Sequence, residues 1–306
     1  MSTSNTSVAR ADVIDAQPQE SLIRRFFVSR RGDAPFKLIL IHAFLILYCI
    51  ISIYPALRVV SVSLRPGDRL LSTSLAIIPP DASLESYVAL FTEKDFLVWL
   101  WNSLIITVTV SFVGVALSAT SGYAFSRWKF PGRNAGLIFL LTTQMIPAGM
   151  LMIPLFILMV SLKFTNTYYG VLFAYSVTAV PFSIWILKGY YDTIPPDLEE
   201  AAMVDGASRL GAFTRVILPL STPSLAIVYL FNFMSAWNEF IMARVLLKDS
   251  ERITWPIGLF NLIKDFDAEW GVYAASAVLI TIPVVILFLF SSKWLISGLT
   301  LGSVKG

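Results

Sequence analysis

The sequence is poor in charge. Of its 306 residues only 14% are Asp, Glu, Lys or Arg, whereas 56% are hydrophobic, and the mean hydropathy is +0.73. Soluble domains carry roughly 25% charged residues because their cores must be covered with polar surface. The shortage excludes a soluble enzyme, a disordered chain and a typical nucleic-acid-binding protein. We therefore expect an integral membrane protein with no nucleic-acid partner.

Residues that carry chemistry are equally scarce. There is one cysteine, Cys49, and one histidine, His42, so an internal disulfide and a cysteine-based zinc site are excluded. The sequence has no G-x-x-x-x-G-K-[ST] loop to bind the phosphates of a nucleotide, and no Ser, His and Asp in the order of a hydrolase triad. We expect no catalytic, cofactor or metal site, and hence no enzyme.

What the sequence has instead is long apolar runs. A membrane-spanning helix needs about 20 mostly apolar residues, and the strict period-two alternation of a transmembrane β-strand is missing from these runs. The predicted fold class is therefore all-α: a polytopic membrane protein with six transmembrane helices, the third bent by Pro147 and Pro154. The predicted spans cover residues 38–60, 99–124, 135–162, 168–187, 224–246 and 273–295.

The distribution of Lys and Arg sets the expected orientation. Arg24, Arg25, Arg30 and Arg31 directly precede the first span, and with six alternating spans most basic residues fall on their side of the membrane. Because loops rich in Lys and Arg stay in the cytoplasm, we expect both termini to be cytoplasmic.

The segments outside the spans differ in composition. Residues 1–35 are polar and mixed in charge, so we expect a flexible cytoplasmic tail there, with residues 36–306 forming the transmembrane domain. Residues 62–96 and 247–272 mix aromatic with acidic side chains and fall on the external side. They are either contact surfaces for an external partner or ordinary connecting loops.

The loop between the fourth and fifth spans, residues 188–223, carries signals for a helix, a turn and a second helix. Asp197, with Glu200 three residues on, matches the capping box at a helix start. Asp205 and Gly206 are turn formers, and apolar residues recur after them at helical spacing. The cap, the apolar positions and the terminating proline of the second helix are Ser208, Leu210, Phe213, Ile217 and Pro219.

One face of this helical pair suits docking. Ala201 and Ala202 let a neighbouring surface approach the backbone closely, and Gly206 permits a backbone angle that other residues resist. Glu199 and Glu200 add negative charge that an arginine of a partner can bind. From the residues alone, the loop is either such a docking element or an amphipathic hairpin lying on the membrane surface.

A longer pattern decides between these two interpretations. The string Glu200-Ala201-Ala202, followed by Gly206 and then by Val216-Ile217-Leu218-Pro219, resembles the EAA motif of bacterial ABC importer permeases, with Val216 in place of the commoner isoleucine. We call residues 188–223 the EAA loop. Other strings are similar to carbohydrate importer permeases of the maltose/maltodextrin-like kind, and to the smaller of their two permease subunits. They are WLWNS at 99–103, GYAF at 122–125, FPG at 130–132, WNEF at 237–240 and GLTLGSVKG at 298–306.

The resemblance implies a type I ABC importer permease fold in a bacterial inner membrane, surrounded by the lipid bilayer. It also implies three kinds of protein partner: a second permease, a pair of cytoplasmic ATPase subunits that hydrolyse ATP, and an external sugar-binding protein. The EAA loop is implied to seat in a cleft of one ATPase subunit, and the C-terminal tail, residues 296–306, to reach the ATPase dimer. The implied coupling residues are Glu199, Glu200, Ala201, Ala202, Asp205, Gly206, Phe213, Leu218 and Pro219, and the implied tail contacts are Gly302, Ser303, Val304, Lys305 and Gly306.

Polar residues inside the spans are candidates for the translocation path. Asn232, Ser235 and Glu239 lie at i, i+3 and i+7, and therefore on one face of the fifth predicted helix. An ionisable residue within a span usually faces a cavity or the bundle interior. Near the outer end of its span, Glu239 suits a gate and a structural hydrogen bond equally well. Weaker candidates on the third span are Thr142, Thr143 and Gln144.

We therefore expect a permease subunit of an ATP-driven sugar importer, with maltose or maltodextrin as substrate. The alternatives are a permease for another oligosaccharide or for glycerol phosphate, and an ion-coupled secondary sugar carrier. A secondary carrier needs a buried carboxylate or an ion site near mid-membrane, and only Glu239 approaches that position. A membrane-embedded hydrolase, also considered, has no visible nucleophile or metal site.

Overall fold

The apolar runs of the sequence become helices in a computed structural model, which describes residues 35–68, 76–263 and 268–303. The predicted N-terminal tail, residues 1–35, lies outside this part of the chain except for Pro35. Every regular element of the described residues is helical, so the prediction of an all-α fold is confirmed.

The described residues form a series of α-helices. In chain order they are α1 (Pro35–Ser63), α2 (Glu85–Thr92), α3 (Phe96–Arg127), α4 (Arg133–Thr143), α5 (Ala148–Ser161), α6 (Tyr168–Tyr191), α7 (Asp197–Val204), α8 (Arg209–Leu220), α9 (Thr222–Trp237), α10 (Ile241–Leu246), α11 (Trp255–Asn261) and α12 (Trp270–Ser303). Short 3₁₀ turns lie at Pro66–Asp68 and Ser250–Arg252, and α8 contains a π-turn at Phe213–Ile217.

Two of the predicted spans are interrupted. The third, residues 135–162, divides into α4 and α5 because Pro147 has an extended backbone (ψ 132°) and cannot donate to the ladder of α4. The fifth, residues 224–246, divides into α9 and α10 at residues 238–240. The count of six spanning helices is therefore not confirmed. The described residues contain four uninterrupted helices of sufficient length and apolarity, α1, α3, α6 and α12, and a fifth candidate in the pair α8 and α9, bent by 77°.

The chain divides into two units, residues 1–57 and 58–306. In the first unit, the described residues 35–57 belong to α1, and the side chains of residues 35–56 are exposed. An apolar helix with such a surface is suited to lipid or to another apolar helix.

In the second unit, α3 is the central helix and packs along α6 and α9, while α9 also packs on α12. Two glycines of α3 allow close approach. A Cβ at Gly122 would lie 3.2 Å from Leu187 Cβ, and one at Gly114 would lie 2.8 Å from Asn232 Nδ2. Small residues at such crossings let helices pack tightly in a membrane. The packing brings the C-terminal end of α3 beside the start of the EAA loop.

Candidate functional site

The backbone of the EAA loop is a helix, a turn and a second helix. The turn is at Gly206, whose φ of +90° favours glycine, and Ser208 caps α8 by accepting from Gly211 N at 3.1 Å. The predicted capping box at Asp197 is wrong. Pro196 holds the N-cap position without a side-chain bond, and Asp197 is already helical, because the Pro196 carbonyl receives the N–H groups of Glu199 and Glu200.

The inner face of the loop is anchored by apolar side chains. Phe213 and Ile217 of α8 are buried together with Tyr191 at the end of α6 and Tyr123 near the end of α3. The Tyr123 ring lies 4.5 Å from the Phe213 ring and 6.2 Å from the Tyr191 ring, measured between centroids. Phe213 therefore fixes the loop to its own chain instead of presenting a surface to a partner.

Glu199 is turned inward as well. It is only 7% exposed, and its carboxylate forms an ion pair with Arg127 Nε at the last residue of α3. The Tyr123 hydroxyl donates to its other oxygen at 2.6 Å, and Arg127 also donates to the carbonyl of Ile194 at 2.9 Å. At Glu199 the arginine is thus supplied by the chain itself, whereas Glu200 is exposed.

A second polar contact ties the entry of the loop to α3. Ser126 Oγ donates to Asp192 Oδ1 at 2.7 Å, and Lys188 Nζ lies 2.5 Å from Asp192 Oδ2. Burial raises the pKa of Asp192, but the bonds from Lys188 and Ser126 and the nearby positive charges outweigh it, so the pKa falls below its usual 3.8. Asp192 is therefore a stable anion at neutral pH.

The outer face of the loop combines apolar and acidic side chains. Val204 is 87% exposed and Leu210 is 70% exposed. Sequence reasoning missed Val204, and it grouped Leu210 with the buried residues Phe213 and Ile217. Of the remaining predicted coupling residues, the exposed ones are Glu200, Ala201, Asp205, Gly206 and Pro219, and the half-buried ones are Ala202 and Leu218.

The three predicted path residues lie in different surroundings. Asn232 is fully buried and accepts from Ser183 Oγ of α6 at 2.9 Å, whereas Ser235 is exposed. Glu239 accepts from Met242 N at 2.8 Å and from Ala243 N at 3.1 Å. In this structure its carboxylate caps α10, which is the structural role we considered. A role for the three in translocation stays a prediction.

The interruption between α4 and α5 borders a cavity of about 520 Å³. Gln144 and Thr143 line it together with Thr178 of α6, and Thr143 Oγ1 donates to its own helix at Leu140 O. The weaker path candidates of the third span therefore sit beside an opening, except that Thr142 does not line it.

The C-terminal contact residues are only partly visible. Gly302 and Ser303 continue the backbone of α12, so residues 296–303 are helical, whereas Val304, Lys305 and Gly306 lie outside the described residues. In the part of the chain that the structure describes, no cluster of His, Cys, Asp and Glu can hold a metal ion.

At the opposite end of α3 from the EAA loop, a second set of polar contacts holds a long connection. Asn102 donates to the carbonyls of Glu251 and Ile253, both at 2.9 Å, and accepts from the Tyr168 hydroxyl at 2.7 Å. A Cβ at Gly258 would lie 2.2 Å from the Trp99 ring. Residues 247–263 are thereby packed onto the start of α3.

The sequence profile of a known family matches residues 114–300, and that family is described as the binding-protein-dependent transport system inner membrane component. The chain belongs to this family. The permease is therefore a transport subunit and not an enzyme, and the ion-coupled secondary carrier is no longer an alternative. Permeases of this kind are multi-pass inner-membrane proteins that work with a second permease, an ATPase and an external binding protein.

Individual relatives agree with the family. The permease is 37% identical over 275 residues to the galactooligosaccharides transport system permease protein GanQ of Bacillus subtilis, covering 88% of the permease and 96% of GanQ. It is also 37% identical over 289 residues to the maltose/maltodextrin transport system permease protein MalG of Salmonella typhimurium, again covering 88% and 96%.

A solved structure confirms the fold. The permease superposes on a chain of a bacterial ABC transporter involved in the import of the acidic polysaccharide alginate, with a TM-score of 0.73 and 26% identity. The match covers 88% of the permease and 99% of that chain. The prediction of a type I ABC importer permease fold is therefore confirmed.

Proposed function

We propose that the chain is a permease subunit of an oligosaccharide ABC importer and that its EAA loop docks on an ATPase subunit. The observation that carries the proposal is the division of the loop into two faces. Phe213 and Ile217 hold α8 to the chain, while Val204 and Leu210 expose apolar surface to the outside. On a loop expected in the cytoplasm, exposed aliphatic side chains of this kind suit contact with another protein.

The chemistry of the exposed face defines the partner surface. Glu200 and Asp205 are exposed acids on the same loop as the exposed aliphatic residues Val204 and Leu210. A complementary surface is an apolar cleft with basic residues at its rim, since opposite charges at a rim steer association. In this arrangement the EAA loop and the C-terminal tail from residue 296 lie on the cytoplasmic side, as do both termini.

The substrate is proposed to be maltose or maltodextrin, with another oligosaccharide, or glycerol phosphate, as the alternatives. Two relatives of equal identity, GanQ and MalG, are named for different oligosaccharides, so the choice of sugar needs an experiment. The translocation path is proposed to form with the second permease and to include Asn232, Ser235 and Glu239, with the opening beside Gln144 as a weaker candidate.

The docking proposal is tested with one substitution on the exposed face. In Val204→Asp a charge replaces an 87% exposed aliphatic side chain, and we expect the ATPase to be lost when the permease pair is purified through a tag. Val88→Asp is the matched control, because Val88 is also exposed but lies on α2, in the segment expected outside. Equal ATPase yield from both variants would contradict docking through this face.

The substrate proposal is tested in proteoliposomes that contain both permeases, the ATPase and the binding protein. We expect ATP-dependent uptake of labelled maltodextrin, and no uptake with a non-hydrolysable nucleotide. Uptake of galactooligosaccharide or glycerol phosphate in preference to maltodextrin would replace the proposed substrate and leave the transport class unchanged.

A further inference from the structure

The ion pair between Arg127 and Glu199 joins the end of α3 to the first turn of α7. We propose that Arg127 is a positioning residue: it holds the start of α7 against the end of α3, so that a displacement of the EAA loop displaces α3. This inference rests on the proposed docking of the EAA loop on an ATPase.

α7 has few apolar contacts: it packs on α8, but Ala202 and Met203 are only half-buried. Glu199 is the one residue of α7 that is buried, while Leu198, Val204 and most of its other side chains face outward. A short helix of 8 residues does not hold its place by itself. The Glu199 side chain therefore makes the one buried attachment of α7.

The polar contacts of Glu199 all lead to the C-terminal end of α3. Arg127 and Tyr123 bond to the two oxygens of the Glu199 carboxylate, and both lie on α3. The same guanidinium donates to Ile194 O at 2.9 Å, which lies on the other side of the two prolines. The Arg127 guanidinium, which is planar and has several N–H donors, thus holds the chain at two points: at Ile194, before α7, and at Glu199, in its first turn.

α3 connects Arg127 to the opposite end of the second unit. It is uninterrupted from Phe96 to Arg127 and contains no proline. Near its other end, Asn102 holds the carbonyls of Glu251 and Ile253. At about 1.5 Å per residue, the stretch from Asn102 to Arg127 is about 37 Å long. A displacement that reaches Arg127 therefore reaches the connection on the opposite side through a single helix.

The test distinguishes a role of the ion pair in positioning α7 from a role in the stability of the complex. In Arg127→Met/Glu199→Leu both charges are replaced together, so no unpaired charge is left buried, and we expect the complex to assemble at wild-type yield. We expect the amount of sugar transported per ATP hydrolysed to fall about tenfold in proteoliposomes, in the range by which residues between two sites change their coupling. The matched control is Lys129→Met, which removes an exposed cation two residues from Arg127 and should keep the wild-type ratio.

Two more variants complete the series. In Arg127→Lys the charge is kept but the planar fork that reaches both Glu199 and Ile194 is lost, and we expect the ratio to fall about threefold. In the exchanged pair Arg127→Glu/Glu199→Arg the contact is rebuilt, and we expect most of the ratio to return. A wild-type ratio in both Arg127→Lys and Arg127→Met/Glu199→Leu would overturn the positioning role, because a purely structural contact changes the yield of complex and not the sugar transported per ATP.

Comparison of Val204→Asp with the Arg127 variants tells a wrong positioning role from a wrong docking proposal. If the EAA loop does not meet the ATPase, Val204→Asp retains the ATPase on purification. If docking is right and the positioning role is wrong, Val204→Asp loses the ATPase while the Arg127 variants keep the wild-type ratio.

Discussion

The two ends of α3 hold their neighbours in different ways. At the EAA loop, Arg127 and Glu199 bind side chain to side chain through opposite charges. At the other end, Asn102 binds main-chain carbonyls of Glu251 and Ile253, and Ser103 Oγ accepts from the main-chain N of Trp255 at 2.8 Å. The first contact needs a particular side chain on each partner, whereas the second needs particular side chains only on α3.

Asn166, which precedes α6, holds the same connection through both backbone and side chains. Its side-chain oxygen accepts from the main-chain N of Lys248 at 3.0 Å and of Asp249 at 3.2 Å, and its own N–H donates to Leu246 O at 2.8 Å. Its side-chain N–H donates to Asp249 Oδ2 at 2.6 Å, and the Arg252 guanidinium donates to Asn166 O. The connection of residues 247–263 is therefore held by backbone contacts at Asn102 and by mixed contacts at Asn166, whereas Glu199 of the EAA loop is held through its side chain.

We expect the largest loss of stability when one partner of the ion pair between Arg127 and Glu199 is removed and the other is kept. In Arg127→Met, Glu199 stays buried without its cation, and we expect the free energy of unfolding to fall by about 3–5 kcal/mol, the usual cost of an uncompensated buried charge. Thermal unfolding in detergent, followed by tryptophan fluorescence, measures this loss. Adding Glu199→Leu should recover most of it, and an equal loss in the single and double variants would contradict the assignment.

A smaller effect is expected where the contact is to backbone. In Asn102→Leu two main-chain carbonyls lose their donor, and we expect a loss of about 1–3 kcal/mol, together with faster proteolysis within residues 247–263. Glu251→Ala is the matched change on the other side of the same contact. Because only the carbonyl of Glu251 is used and its side chain is exposed, that variant should stay within about 0.5 kcal/mol of the wild type. A large loss in Glu251→Ala would show that the Glu251 side chain, and not only its carbonyl, holds this part of the connection.

The smallest effect concerns Asp192 and depends on pH. Its pKa in the folded chain is below the ordinary 3.8, so the contact with Ser126 and Lys188 stabilises the loop above that pH and is lost as the pH falls further, through the folded pKa. We expect hydrogen exchange at residues 188–194 to increase only in that acid range, and Asp192→Asn to abolish the dependence. A transition near neutral pH that survives in Asp192→Asn would point to another group.

The sequence alone predicts the long helices and the helix, turn and second helix of the EAA loop. The runs that became α1, α3, α6 and α12 are continuous and apolar, and the turn at Gly206 and the cap at Ser208 are local signals. The interruption of the fifth predicted span was not visible in this way, because no proline marks it. Glu239 lies between the two helices and caps the second one. In the sequence alone, a carboxylate within a span is equally consistent with a residue of the translocation path.

The site itself was only half predictable. The spacing of Leu210, Phe213 and Ile217 predicted a shared face, but a periodic pattern does not say how far the rest of the chain covers it, and Leu210 is exposed. The partner of Glu199 lies 72 residues away in sequence. It comes within reach only because α3 and α6 pack closely at Gly122, a tertiary contact that no local pattern encodes.

The bend of 77° between α8 and α9 has an energetic consequence for moving the membrane part of the chain. A displacement along α8 is almost perpendicular to the axis of α9, so it shifts the near end of α9 sideways and does not slide the helix along its own length. Sliding would carry apolar side chains out of the hydrocarbon and into water, at a cost for every ångström of mismatch. A sideways shift keeps the hydrophobic length of the helix matched to the bilayer, so the bilayer offers little resistance to it.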